Sequence, residues 1–193
     1  MKDIPTPSVN ELERYLDKWN NTKEYVLHDE TLKKLVSLFP NNLDKQGVLV
    51  KATCINSFYN TRIFKMIPVS KHILDLKIDE RLKSGDITLV NELAKVIYEI
   101  DGKVIEKNFY SFTTKYCCIH RNDIYPIYDK YVDKILMYFK NKDKFYNFKK
   151  DDLKDYNKYV DVINAFRKNY GLEDYDYRTL DKYLWQLGKE YFD

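Results

Sequence analysis

The sequence predicts an all-α protein, a single compact helical domain of seven to ten helices over residues 1–193. Apolar residues recur at helical spacing in nearly every periodic segment. Capping residues, glycines and prolines mark where these segments begin and end. With 193 residues, of which 44% are hydrophobic and 33% charged, the chain is long enough to bury a core and too apolar to be disordered.

Local signals bound the helices predicted in the first half of the chain. Ser8 and Glu11 form a capping box at the start of the first helix. Asp29 is the predicted N-cap of the second helix, which Pro40 ends. The other helices predicted here cover residues 43–59, 68–76 and 79–83, and one begins at Asp86 or Thr88.

Residues 96–105 allow two interpretations. Two β-branched runs flank Asp101-Gly102, a strong turn signal, and this pattern is typical of a β-hairpin. The apolar face of residues 93–97, however, continues a helical period. Helix, turn and helix is therefore the preferred prediction, with the hairpin as the alternative.

In the second half, the sequence predicts a helix over residues 109–119, a loop stopped by Pro126, and a helix that starts at Asp129. A carboxylate at that position caps a helix by accepting N–H groups of the first turn. A further amphipathic helix begins near Tyr156 and is closed by Gly171, and a last helix carries apolar residues from Leu180 to Tyr191. The basic segment 140–150 offers an alternative domain boundary.

Two short motifs resemble elements of a known enzyme superfamily. The segment Tyr125–Val132, with Pro126 and Asp129, resembles the Pro-Val-Asp-x-x-Val element of the helix-hairpin-helix DNA glycosylases. Thr114-Lys115 is similar to the Thr-Lys of the 8-oxoguanine glycosylase branch. This resemblance covers residues 30–140 and implies a helix-hairpin-helix glycosylase-like fold, with Asp129 as the catalytic acid and Lys115 as the nucleophile.

The chain departs from that superfamily in two ways. No glycine lies between Gly102 and Gly171, whereas the family hairpin carries a Gly-x-Gly loop. The spacing of 14 residues from Lys115 to Asp129 is also shorter than the bifunctional branch leads us to expect. The C-terminal stretch Leu184–Lys189 additionally resembles a motif of uncharacterised bacterial proteins, which carries no function with it.

The predicted chemistry needs both side chains. Positive charge develops on the sugar when a base is released, and a nearby carboxylate such as Asp129 stabilises it. A desolvated amine such as Lys115 attacks the sugar carbon and forms a Schiff base. The structural alternatives are a helix cap for Asp129 and a surface lysine for Lys115.

Three groups of residues are candidates for DNA contact. The resemblance places polar contacts at the end of the helix over 43–59, namely Asn56, Ser57, Tyr59, Asn60 and Arg62. In the basic segment 140–150, which alternates lysines with aromatic rings, Lys144 and Lys149 are candidate phosphate contacts. Candidate stacking rings for a flipped base are Tyr125, Tyr128 and Trp185. Each group also has a purely structural interpretation. The residues at the end of the helix over 43–59 would form a helix terminus, the segment 140–150 a solvated linker, and the three rings part of the core.

Composition excludes several other classes. No apolar run approaches a membrane span, and the N-terminus lacks the apolar core of a signal peptide, which predicts a cytoplasmic protein without a membrane partner. Three cysteines suit a reducing compartment, and small buried thiols are favoured over a zinc site at Cys117 and His120. No metal or other cofactor is expected, and a monomer that binds double-stranded DNA is the working hypothesis.

Three functional hypotheses follow. The first is a DNA repair or DNA-modifying glycosylase, a hydrolase that acts on a flipped base. The second is a non-catalytic all-α module that binds DNA or another protein. The third is an unrelated helical bacterial protein in which the Pro-x-x-Asp helix start is a coincidence.

Overall fold

The computed structural model describes residues 3–193, and the protein is predominantly α-helical over that range, as predicted. Its ten α-helices are α1 (Val9–Asn20), α2 (Lys23–Leu38), α3 (Lys45–Phe58), α4 (Met66–Asp75), α5 (Asp79–Ser84), α6 (Leu89–Leu93), α7 (Tyr110–His120), α8 (Lys130–Asp143), α9 (Tyr156–Tyr170) and α10 (Tyr177–Phe192). Its two strands are β1 (Lys95–Ile100) and β2 (Lys103–Asn108), and a short 3-10 helix spans Lys150–Lys154.

The chain divides into two compact units. The terminal unit is formed by residues 3–26 together with Pro126–Asp193, and the central unit by Leu27–Tyr125. Both boundaries lie outside the basic segment 140–150. The single domain predicted over residues 1–193 stays a prediction.

Local capping signals identified several helix ends correctly. The Ser8 hydroxyl accepts the Glu11 N–H at 3.3 Å at the start of α1. Asp129 lies at the N-cap of α8 in extended conformation, and its carboxylate accepts the Tyr131 N–H at 2.9 Å. Gly171 closes α9 with φ of 65°, a left-handed conformation that costs glycine no steric penalty.

The predicted start of the second helix was wrong. Asp29 lies inside α2, which begins six residues earlier at Lys23, and its side chain is buried. Because the helix continues through this position, the preceding turn already supplies acceptors for the N–H groups that an N-cap would have to satisfy.

The preferred helix at residues 93–97 was also wrong, because α6 ends at Leu93 and a β-hairpin follows. Strands β1 and β2 pair antiparallel, with Ile100 opposite Lys103. Asp101 and Gly102 between them have φ of 50° and 75°. Two successive positive φ values match the twist of hairpin strands, and Asp-Gly is a favoured sequence for such a turn. The turn signal therefore outweighed the short helical period.

In the terminal unit, α8 and α10 pack closely, and α1 packs on α10. A Cβ at Gly188 of α10 would lie 2.6 Å from the Tyr131 Cβ and 2.9 Å from its carbonyl oxygen. The absence of a side chain at this position is what permits the close approach of the two helices. Fully buried members of this core include Leu12, Ile135, Leu136, Phe139 and Leu187.

In the central unit, α3 packs on α4 and α7, and α4 and α6 contact β1. Every residue of α7 from Phe112 to Cys118 is buried. A helix surrounded by protein on all sides needs no polar face. This surrounding explains why Lys115, in the middle of α7, is not at the surface.

Candidate functional site

Helix α7 holds the Lys115 side chain inside the central unit, where it is only 2% exposed. Its amine donates to the Ser111 hydroxyl at 2.8 Å and lies 3.4 Å from the Ser111 carbonyl oxygen, one helical turn earlier. The same amine lies 5.4 Å from the centroid of the Tyr59 ring, at the end of α3. Two sequence-predicted site residues, Lys115 and Tyr59, are thus brought together in an environment with little water.

Asp129 belongs to the terminal unit, where it caps the start of α8. The loop before it is fixed by two buried tyrosines of α9. The Tyr156 hydroxyl donates to the Pro126 carbonyl at 2.9 Å, and the Tyr159 hydroxyl donates to the Ile127 carbonyl at 2.5 Å. The half-buried carboxylate is therefore held at a defined place by a rigid loop and a helix start.

Tyr128, next to Asp129, is buried and takes part in a polar array within the terminal unit. Its hydroxyl donates to the buried Asp133 carboxylate at 2.6 Å and accepts from the Lys154 amine, which also lies 4.0 Å above the ring. Burial and the neighbouring carboxylate raise the pKa of Tyr128 well above its usual range. Burial also lowers the pKa of Lys154.

The other two candidate stacking rings have contacts of their own. Tyr125 is fully buried in the central unit, and its hydroxyl lies 3.3 Å from the Arg81 carbonyl oxygen and 3.2 Å from that of Asp86. Trp185 is half-buried in the terminal unit, where the Lys189 amine lies 5.0 Å from its ring centroid, as their shared helix face predicts. Its aromatic neighbours are Trp19, Tyr25 and Tyr131.

The predicted phosphate contacts Lys144 and Lys149 are exposed in the terminal unit, on either side of an anchored segment. Lys144 follows α8 in left-handed conformation, and Lys149 precedes the 3-10 helix. Phe148 between them is buried, and the Phe145 ring lies 5.4 Å from that of Phe166. The rings thus hold the segment in place while both lysines face water.

At the end of α3, the predicted DNA-contacting residues divide into two groups. Asn56 is half-buried, and its side chain bonds to Thr61 and Ile63 in the following loop. Exposed members of the group are Ser57, Asn60 and Arg62. Asn56 therefore shapes this loop, and the exposed side chains are the ones available to a ligand.

Sequence reasoning missed a second buried amine in the central unit. Lys51 of α3 is fully buried, and its amine donates to the Phe39 carbonyl at 2.8 Å, the Asn41 carbonyl at 3.1 Å and the Asn42 side-chain oxygen at 2.8 Å. The His120 Nε2 lies 3.3 Å away. This amine connects the chain after α2 to α3 and α7. The sequence did contain a sign of this burial, because Lys51 lies on the apolar face of its helix.

Burial controls the protonation of this cluster. It lowers the pKa of Lys51 to about 8, against the opposing effect of the Asp79 carboxylate. Burial and then the Lys51 charge lower the pKa of His120 to about 3. The Tyr116 hydroxyl donates to the Asn42 side-chain oxygen at 2.6 Å. The backbone N–H and the side-chain amide of Asn42 both donate to the Asp79 carboxylate. These contacts describe a satisfied structural network.

Among residues 3–193, no group of three or more His, Cys, Asp or Glu side chains is arranged to hold a metal ion. Cys117 and Cys118 are buried, and burial raises the pKa of the Cys117 thiol well above its usual range. No helix within the described range is both long and apolar enough to cross a membrane.

The described residues form a predominantly helical protein with one small β-hairpin. Sequence comparison assigns this chain to a family. The HI_0787_N family, described as an N-terminal domain, matches residues 11–124. A protein of Haemophilus influenzae, described as uncharacterized, is 50% identical over 148 residues, which cover 76% of this chain and 69% of that protein. The chain belongs to the HI_0787_N family. No solved structure matches it.

Proposed function

We propose that the protein binds double-stranded DNA and acts as a base-excision glycosylase on a flipped base. The observation that carries this proposal is the position of Lys115. An amine on a buried helix, held by Ser111 and covered by the Tyr59 ring, is in the water-poor environment that a nucleophilic lysine requires. A surface lysine would have none of these contacts.

In the proposed reaction the Lys115 amine attacks the sugar carbon that carries the base. A nitrogen–carbon bond forms, the bond between base and sugar breaks, and its electron pair leaves with the base, which takes up a proton. Opening of the sugar ring then leaves a Schiff base on Lys115. The resemblance assigns the stabilisation of positive charge on the sugar to Asp129. Within the terminal unit, the Pro126 loop and the start of α8 hold its carboxylate in place.

Covalent trapping tests the proposal. A Schiff base formed with a duplex that contains an abasic site becomes a permanent protein–DNA adduct on reduction with borohydride. The unsubstituted protein is expected to form this adduct, and Lys115→Gln is expected to form none. Lys33→Gln, which removes an exposed lysine of α2 in the same unit, is the charge-matched control and is expected to react normally.

Circular dichroism of each variant establishes that it is folded. An equal adduct yield from folded Lys115→Gln would assign the nucleophile to another residue. Binding of DNA without any adduct in the unsubstituted protein would reject the enzyme and leave the non-catalytic DNA-binding module.

A further inference from the structure

The loop between α3 and α4 is held in an unusual backbone conformation. Asn60 and Arg62 have φ of 49° and 60°, which non-glycine residues seldom adopt. The Asn56 side chain stabilises this path, because its oxygen accepts the Thr61 hydroxyl at 2.7 Å and the Ile63 N–H at 2.9 Å. Its amide also donates to the Ile63 carbonyl at 3.0 Å. The loop is thus shaped by specific contacts.

This loop turns one apolar side chain inward and the next outward. Ile63 is 5% exposed, whereas Phe64 is 94% exposed. Burying a phenylalanine side chain stabilises the folded state, and Phe64 forgoes nearly all of that contribution. A ring presented to water by a well-held loop is better explained by binding than by folding.

The charge around Phe64 indicates the kind of partner. Between Lys45 and Leu74 the sequence contains no Asp or Glu, although the chain has 30 of them in total. Arg62 and Lys65 lie on either side of the ring in sequence, and both are exposed. An aromatic face next to cations suits a nucleic-acid strand, in which bases stack on rings and phosphates contact cations. Apolar side chains also enter DNA between base steps.

We propose that Phe64 enters the DNA stack beside the flipped nucleotide, while Arg62 and Lys65 contact the flanking phosphates. The choice of DNA rests on the proposed function, but the contact does not require the chemistry at Lys115. Phe64 would occupy the space that the flipped base leaves, and so favour DNA in which one base is already missing.

Binding measurements test this role. Fluorescence anisotropy would compare a duplex that holds a stable abasic analogue with the same intact duplex, at two salt concentrations. Because stacking contributes about 1–3 kcal/mol per base, Phe64→Ala is expected to weaken binding to the abasic duplex about 5- to 150-fold. Phe64→Trp, which keeps an aromatic face, is expected to restore it. Val104→Ala, which shortens another exposed apolar side chain, on the hairpin, is expected to have no effect.

The contacts of Arg62 and Lys65 with phosphates are tested separately, by the salt dependence of DNA binding. Each phosphate contact contributes about 0.9 to the slope of log affinity against log salt, so the double variant Arg62→Gln/Lys65→Gln is expected to lower that slope by about 2. An adjacent 2-aminopurine in the abasic duplex would report insertion of the ring as a fluorescence change that Phe64→Ala lacks.

The outcomes separate this inference from the proposed enzyme. Unchanged abasic-duplex affinity in Phe64→Ala, with normal trapping at Lys115, would overturn the inference alone. Dependence on Phe64 without trapping would support the inference and reject the enzyme. Binding to neither duplex would overturn both. Loss of a dimer in Phe64→Ala, measured by sedimentation, would assign the ring to a second copy of the chain and overturn the DNA contact.

Discussion

Replacing His120 with glutamine is expected to make the central unit less sensitive to acid. An unperturbed histidine has a pKa of about 6.5, and burial together with the Lys51 charge lowers that of His120 to about 3. Between these values the folded protein binds fewer protons at His120 than the unfolded chain does. The stability associated with neutral His120 is therefore fully present above pH 6.5 and is lost as the pH falls towards 3.

The size of the effect follows from the same linkage. Each pH unit inside that window corresponds to about 1.4 kcal/mol. From about pH 7.5 to about pH 4.5, His120 alone is expected to lower the free energy of unfolding by about 2.7 kcal/mol. Because glutamine does not titrate, this part of the pH dependence of stability is expected to disappear in His120→Gln.

Urea unfolding at several pH values, followed by far-ultraviolet circular dichroism, measures this difference. Both tryptophans, Trp19 and Trp185, lie in the terminal unit, so their fluorescence follows the other unit separately. His28→Gln, at a half-exposed histidine of the central unit, is the matched control. An equal loss of stability on acidification in the original protein and in His120→Gln would refute the reasoning.

Two further predictions concern the terminal unit. Gly188→Ala is expected to lower the free energy of unfolding of the terminal unit by about 1–3 kcal/mol, because the added methyl group would collide with the backbone and Cβ of Tyr131. Tryptophan fluorescence during urea unfolding measures this change. An unchanged unfolding midpoint would contradict the packing argument. Asp129→Asn is expected to keep α8 capped and the terminal unit stable, because asparagine caps as well as aspartate. Asp129→Ala is expected to lose the cap and about 1 kcal/mol of stability, measured by the same tryptophan fluorescence, and equal unfolding midpoints in the two variants would contradict the capping role.

The candidate site was only partly predictable from the sequence. The Thr-Lys and Pro-x-x-Asp motifs directed attention to Lys115 and Asp129, and the cap at Asp129 could be predicted from local chemistry. That Lys115 is buried beside Tyr59 could not be predicted, because it depends on how α3 packs on α7, and these helices are distant in the sequence. Lys51 was missed for the same reason.

What the sequence alone determined is the set of local features. The helix starts at Ser8 and Asp129 and the helix end at Gly171 depend on hydrogen bonds and dihedral angles within a few residues, which composition and spacing reveal. The tertiary structure decided the features that depend on distant partners. It continued α2 through Asp29, and it removed Lys115 from water. Burial of a side chain is a property of the surrounding elements, and a local pattern does not contain that information.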